Sequence, residues 1–134
     1  MNDKWIYYGV FFSDKTKRFL IVKAEQLVDI PEDWKLFGGH MTIVYNDKSE
    51  DKQEMADALD NVLGYQQQLY IDSIGISEEA IAFGVKDYAT QNEHSHITIA
   101  VAPGSKPVKS NEITKWVSIE GFYVTGKIDK INRK

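Results

Sequence analysis

The sequence predicts an α+β fold in one compact domain, and three observations carry that reading. Segments rich in β-branched and aromatic residues predominate. Only one stretch holds a sustained helical period, over Ser49 to Gly64. No linker, low-complexity run or solenoid period divides residues 1–134. With 43% hydrophobic and 12% aromatic side chains, the chain carries apolar material for a single core.

Taken in order, Trp5 to Phe12 has strand composition, and Arg18 to Lys23 (Arg-Phe-Leu-Ile-Val-Lys) reads as its hairpin partner across Ser13-Asp14-Lys15-Thr16-Lys17. A short helix or turn over Ala24 to Val28 follows. Pro31-Glu32-Asp33-Trp34 reads as a loop or single turn, and Gly38-Gly39 frees the backbone ahead of a strand at His40 to Tyr45. Ser49-Glu50-Asp51-Lys52 has the composition of a capped helix start, and Met55, Leu59, Val62 and Leu63 keep helical spacing up to Gly64. Gln68 to Ile76 and Ala80 to Val85 alternate as a hairpin joined at Ser77-Glu78-Glu79, and Ser95 to Val101 is a further strand. A second helix is expected to begin at Ser110, with Asn111, Glu112 and Ile113 in its first turn. Trp116 to Ile128 has strand composition interrupted by Gly121 and Gly126, and the Lys-rich last residues are expected to fray.

Composition narrows the function. The absence of cysteine removes disulfides, thiolate catalysis and cysteine-based zinc sites. A net charge of -4 argues against a broad basic surface that tracks long duplex nucleic acid, while leaving room for a short or cyclic nucleotide held by a local positive site. No apolar run reaches the length of a membrane span, and Met1-Asn2-Asp3-Lys4-Trp5 lacks the pattern of a signal peptide, so a cytoplasmic address is expected.

The most informative feature is a repeated cassette, His40-Met41-Thr42-Ile43 and His96-Ile97-Thr98-Ile99, in a chain with 3 histidines. In a strand, residues i and i+2 share a face, so each cassette sets an imidazole beside a hydroxyl while its apolar residues face the core. Two such faces brought together hold two groups that titrate near neutrality and two neutral hydrogen-bond donors. That chemistry moves protons around a phosphate. Phosphodiester cleavage needs a base for the attacking water or hydroxyl and an acid for the leaving oxygen, and two histidines in line with the scissile bond supply both.

The paired cassettes with their apolar flanks resemble the 2H phosphoesterase superfamily, whose members include 2′,3′-cyclic phosphodiesterases and 2′,5′-RNA ligase-like proteins. His96 to Ile99 followed by Gly104-Ser105-Lys106-Pro107 and Ser110-Asn111-Glu112 is most similar to the RNA-repair branch, the cyclic phosphodiesterase domain of fungal and plant tRNA ligases. The chain is short for a two-lobed member of that superfamily. The resemblance implies two quasi-symmetric β-rich lobes with antiparallel sheets around a central cleft. Across it His40 and His96 would face one another, with Thr42 and Thr98 binding the phosphoryl oxygens and no metal or other cofactor; which histidine is acid and which base depends on the direction of reaction, and His40 is assigned as base and His96 as acid. Lys106 is a candidate for a positive charge near the phosphate, and among the first-strand rings Tyr7, Tyr8, Phe11 and Phe12, Tyr7 is the candidate to stack on a base. Tyr45 has core-facing parity and reads as a packed aromatic.

His94 shares parity with His96 and Thr98, which directs it to the cleft rim if the strand starts early; the polar Gln91-Asn92-Glu93 ahead of it makes it a loop-edge residue otherwise. A metal held by His40, His94 and His96 is sterically permitted by the His-x-His spacing, but it leaves the threonines without a role and finds no carboxylate in either cassette. The expected activity is therefore metal-independent hydrolysis of a nucleotide phosphodiester, the partner being a 2′,3′-cyclic phosphate at an RNA end or a small cyclic nucleotide. Two alternatives remain. One is degradation of cyclic di- or oligonucleotide signals, as viral proteins that blunt nucleotide-based immunity do. The other is a non-catalytic module that binds nucleotides or RNA ends.

Overall fold

The computed structural model describes residues 4–133; Met1, Asn2, Asp3 and Lys134 lie outside the described residues, and with them part of the signal-peptide reading and the last of the fraying tail. The elements in order are β1 (Trp5–Phe11), α1 (Asp14–Leu27), β2 (Lys35–Leu36), β3 (His40–Tyr45), α2 (Glu50–Asp60), β4 (Gln66–Ile76), β5 (Ala80–Lys86), β6 (His96–Val101), a 3₁₀ helix (Pro107–Glu112) and β7 (Trp116–Asn132). All strands join one antiparallel seven-stranded sheet in the order β2-β6-β5-β4-β7-β1-β3. The α+β expectation holds at that level. Among the described residues no helix is long and apolar enough to cross a membrane.

The β4–β5 hairpin follows the sequence reading closely. Ser77 closes its turn by accepting from the Glu79 and Ala80 backbone N–H groups at 3.2 and 3.0 Å, the pattern by which a serine stabilises a tight bend. Strand β5 is buried on both faces: Ile81, Phe83 and Val85 enter the main core, while Ala80 and Ala82 pack with Ile113 under the edge of Trp116. Leu20 and Ala24 of α1 and Ala56 of α2 enter the main core beside Tyr8, Val10, Met41, Ile71 and Ile97, so sheet and helices share one apolar cluster.

Three expectations are corrected. Arg18 to Lys23 is the middle of α1, not a strand, and Ala24 to Leu27 is its end. Ser13, taken as part of a hairpin turn, is the N-cap, its Oγ accepting from the Thr16 N–H at 3.2 Å. Of the apolar run Phe19-Leu20-Ile21-Val22 only Leu20 is buried, because a helix distributes four consecutive residues around its circumference. The helix expected from Ser110 is a 3₁₀ helix that begins at Pro107, whose ring presets the first helical φ, and Ser110 lies inside it. Finally, β7 continues as one strand to Asn132, its pairing with β4 slipping over residues 119–121; Asn132 pairs with Trp5, and the Arg133 N–H donates to the Lys4 carbonyl at 2.7 Å, so the end of the chain is paired through Arg133. Gly121 does not end that strand; it lets Tyr70 approach, since a Cβ there would lie 1.8 Å from Tyr70 Oη.

Both cassette strands carry the same irregularity. Tyr8 and Gly9 of β1 pair with Val44 and Thr42 of β3, leaving Ile43 as an extra residue; Ile81 and Ala82 of β5 pair with Ala100 and Thr98 of β6, leaving Ile99 extra. Each is a β-bulge immediately after the threonine of a cassette. The strand order is matched around the central β4–β7 pair in the same sense, with β5 then β6 on one side and β1 then β3 on the other.

Candidate functional site

His40 and Thr42 leave β3 on one face, with Met41 and Ile43 buried behind them, and His96 and Thr98 leave β6 in the same way over Ile97 and Ile99. Although β3 ends the sheet and β6 is next to its opposite end, the two strands are in contact. A short connection explains this. The Phe37 and Gly38 N–H groups donate to the Ile99 and Thr98 carbonyls at 2.7 and 2.9 Å, and the Gly39 carbonyl then accepts from the Phe12 N–H at 2.9 Å. The chain therefore passes from the edge of β6 to the edge of β1 within two glycines, and His40 follows at once. Gly38 takes φ +94°, a left-handed conformation that favours glycine, with the Lys17 and Ile21 side chains close to where a Cβ would stand. From the other side, the Gln91 N–H donates to the Ile43 carbonyl at 2.8 Å and Gln91 Oε1 accepts from the Tyr45 N–H at 2.7 Å, so the loop before β6 covers the free edge of β3.

The result is a cavity of about 650 Å³ whose walls include His40, Thr42, His96 and Thr98 together. His40 lies against the rings of Phe11 and Tyr7, at 5.5 and 5.2 Å between centroids, and burial pulls its pKa below that of a free imidazole. His96 is only 7% exposed, and burial is again the main cause that lowers its pKa, opposed by the hydrogen bond to the His94 carbonyl, 2.7 Å from Nδ1. Ser110 Oγ sits 3.0 Å from His96 Nε2, 2.6 Å from Thr98 Oγ1 and 2.8 Å from the Pro107 carbonyl oxygen.

The remaining candidates fall differently. Lys106 is the exposed N-cap residue of the 3₁₀ helix and does not line the cavity. Lys17, on α1, does line it. The ion pairs among the described residues join Lys109 to Glu79 and Glu112 and Lys130 to Asp60, so Lys17 has no carboxylate partner among them. Tyr7 is not on the cavity wall; its ring packs among Phe11, His40 and Tyr45. Tyr45, expected to be packed, is 46% exposed and lines the cavity. The bulge at Ile43 is the reason: it spends one extra residue, buries both Ile43 and Val44, and returns Tyr45 to the face of His40 and Thr42.

His94 stands apart from this cavity. Its ring stacks on Trp116 at 3.8 Å and 19°, with Nε2 3.5 Å from Ser73 Oγ, on the wall of a separate, shallower cavity of about 700 Å³. Its backbone carbonyl hydrogen-bonds to His96, and the two residues also line one small cavity of about 90 Å³ with Ser110 and Trp116. Among the described residues no group of three His, Asp or Glu side chains is placed to hold a metal ion. Lys17 and Gln91 carry no local signal of a site, and Ser110 stands in the segment similar to the RNA-repair branch without a role assigned to it. Reading Pro107 as the first residue of a short helix would have brought Ser110 inside it, and a helical period through Leu20 and Ala24 would have brought Lys17 onto α1.

Neither a protein-family model nor a curated protein sequence matches the chain.

Proposed function

We propose that the protein is a metal-independent phosphodiesterase that cleaves nucleotide phosphodiester bonds by two-histidine general acid–base catalysis, acting on a 2′,3′-cyclic phosphate at an RNA end or on a small cyclic nucleotide. The observation that carries this reading is that both His-x-Thr pairs line one cavity. His40 serves as base toward the attacking oxygen and His96 as acid toward the leaving oxygen, while the Thr42 and Thr98 hydroxyls hold the non-bridging oxygens. Lys17 supplies a positive charge to a ligand that is an anion, and Tyr45 offers an open ring for a base. The matched bulges and the matched strand order about β4 and β7 support two quasi-symmetric β-rich lobes around a central cleft. A cavity of about 650 Å³ is of the size that takes small ligands, which favours a mononucleotide, a chain end or a compact cyclic dinucleotide over a long strand.

The test is a panel of 2′,3′-cyclic nucleotides, 2′,5′-linked oligonucleotides and cyclic di- and trinucleotides incubated with the purified protein in EDTA. Turnover that persists under chelation is expected, with His40→Ala and His96→Ala each losing about 10²–10⁴-fold in rate. Activity lost on chelation, or a loss of only a fewfold in either variant, overturns the mechanism. Turnover confined to cyclic dinucleotides or trinucleotides assigns the protein to signal degradation, and binding without turnover makes it a nucleotide-binding module.

A further inference from the structure

We infer that Ser110 is a positioning residue for His96, one whose hydroxyl reorients between His96 Nε2 and the Pro107 carbonyl as that imidazole loses and gains its proton. The inference rests on the reading of His96 as general acid, but its central claim concerns hydrogen bonds and can be read without turnover.

A carbonyl oxygen only accepts, so the His94 carbonyl, 2.7 Å away, requires a proton on His96 Nδ1 whether the ring is neutral or charged. A serine hydroxyl has one proton and two lone pairs, and Ser110 Oγ has three neighbours: His96 Nε2 at 3.0 Å, Thr98 Oγ1 at 2.6 Å and the Pro107 carbonyl at 2.8 Å. When His96 is neutral, Nε2 bears a lone pair; the Ser110 hydroxyl donates to it, and Thr98 donates to Ser110. When His96 is cationic in the substrate-free protein, Nε2–H donates to Ser110 Oγ, Thr98 donates to the second lone pair, and the Ser110 proton turns to the Pro107 carbonyl; a bound phosphoryl oxygen takes the Thr98 proton instead and leaves that lone pair open. Both states keep both ring nitrogens hydrogen-bonded. In the proposed reaction the leaving oxygen displaces Ser110 Oγ as the acceptor of Nε2–H; the Nε2–H bond then breaks, an O–H bond forms on the leaving oxygen, and the serine proton swings from Pro107 back to the Nε2 lone pair. The only proton leaving the network is the one delivered.

Ser110 is 2% exposed, so solvent does not readily replace it in these bonds. Its acceptor meets the imidazolium with a charge-assisted bond, stronger than the bond it makes to the neutral ring, and this opposes the burial that disfavours the cation. The other titratable or charged groups around His96 are Glu93 and His94 from the preceding loop and His40, Lys17 and Tyr45 from the cavity walls; Lys109 on the 3₁₀ helix pairs with Glu79 and Glu112. Among the described residues no carboxylate hydrogen-bonds to the ring; the side chains that answer its change of charge are Ser110, 3.0 Å from Nε2, and Asn111, whose hydrogen bond also favours the charged form.

Imidazole ¹H–¹⁵N correlation spectra of the substrate-free protein across pH test this. Neutral His96 should be the Nδ1–H tautomer, and an Nε2–H tautomer in the wild type overturns the inference without any variant. Ser110→Ala should lower the His96 titration midpoint by about half to one pH unit and leave His40 in place, while Ser110→Thr, which keeps the hydroxyl, restores it. An unmoved His96 midpoint in Ser110→Ala removes Ser110 from the role even if the wild type cleaves nucleotides. A shifted midpoint in a protein that cleaves nothing on the panel upholds the Ser110 coupling and defeats the phosphodiesterase reading instead.

Discussion

Lys17 and Tyr45 set what a ligand meets on the cavity wall beyond the two cassettes, and each reaches that wall through its backbone rather than through sequence proximity to a histidine. Lys17 projects from the first turn and a half of α1 over Gly38, and its charge has no carboxylate partner among the described residues. A hydrogen bond to a charged group is worth about 1.5–3 kcal/mol, so Lys17→Ala should raise KM for a nucleotide substrate by about tenfold or more with the smaller change in kcat. Steady-state kinetics at two salt concentrations checks this: the wild type should lose affinity with salt more steeply than the variant. An unchanged KM takes Lys17 out of substrate binding. Lys106, exposed at the start of the 3₁₀ helix, should matter less than Lys17 in the same assay. At this scale the four cassette residues were legible because type and spacing repeat, whereas Lys17, Tyr45 and Ser110 depend on a helix period, a bulge and a proline-initiated turn that place them from a distance.

Among the elements, the bulges and α1 separate what local sequence can say from what packing decides. The β4–β5 hairpin was legible since its alternation and its Ser-Glu-Glu turn agree, and α2 was legible from its apolar spacing. The run Phe19-Leu20-Ile21-Val22 has strand composition and is too short to show a period of its own, and only burial of Leu20 and Ala24 against the sheet decides for the helix. The two alternatives part in mutagenesis. Leu20→Ala should cost about 2–5 kcal/mol in urea denaturation, while Val22→Ala, on the same side as Leu20 were this a strand but 46% exposed in α1, should cost within about 0.5 kcal/mol. Equal losses would contradict the helix. The bulge at Ile43 makes its own demand on β1: a Cβ on Gly9 would stand 2.7 Å from the Met41 carbonyl oxygen, a backbone atom that cannot swing aside. Gly9→Ala should therefore destabilise by about 1–3 kcal/mol, the range of an overpacked site, and shift backbone amide resonances of β3 around His40 and Thr42. Bulges escape a reading by parity because parity assumes one residue against one.

Over the whole molecule, the cavity exists because a sheet with β3 at one end and β6 near the other curls until those strands touch, and this buries two ionisable rings that the unfolded chain leaves in water. Burial holds the pKa of both His40 and His96 below the ordinary value of 6.5. In the window between the folded-state values and 6.5, the unfolded state binds more protons, so the unfolding free energy rises with pH there. The histidine contribution is fully present above about pH 6.5 and is lost as pH falls through that window to the folded-state values. Urea midpoints should accordingly be level between pH 7 and 8 and decline below about pH 6.5, and the double variant His40→Gln/His96→Gln should flatten the decline. An equally steep decline in the double variant would place the protons on other groups. Inorganic phosphate sharpens the comparison: an anion seated between the rings favours their charged forms and binds the folded state alone, so it should stabilise the wild type more at pH 6 than at pH 8 and lose that preference in the double variant. If the two imidazoles act as proposed, kcat/KM would report the same two lowered ionisations; its bell-shaped maximum should fall on the acid side of pH 6.5, and a maximum on the alkaline side would mean that groups other than these two imidazoles carry the protons.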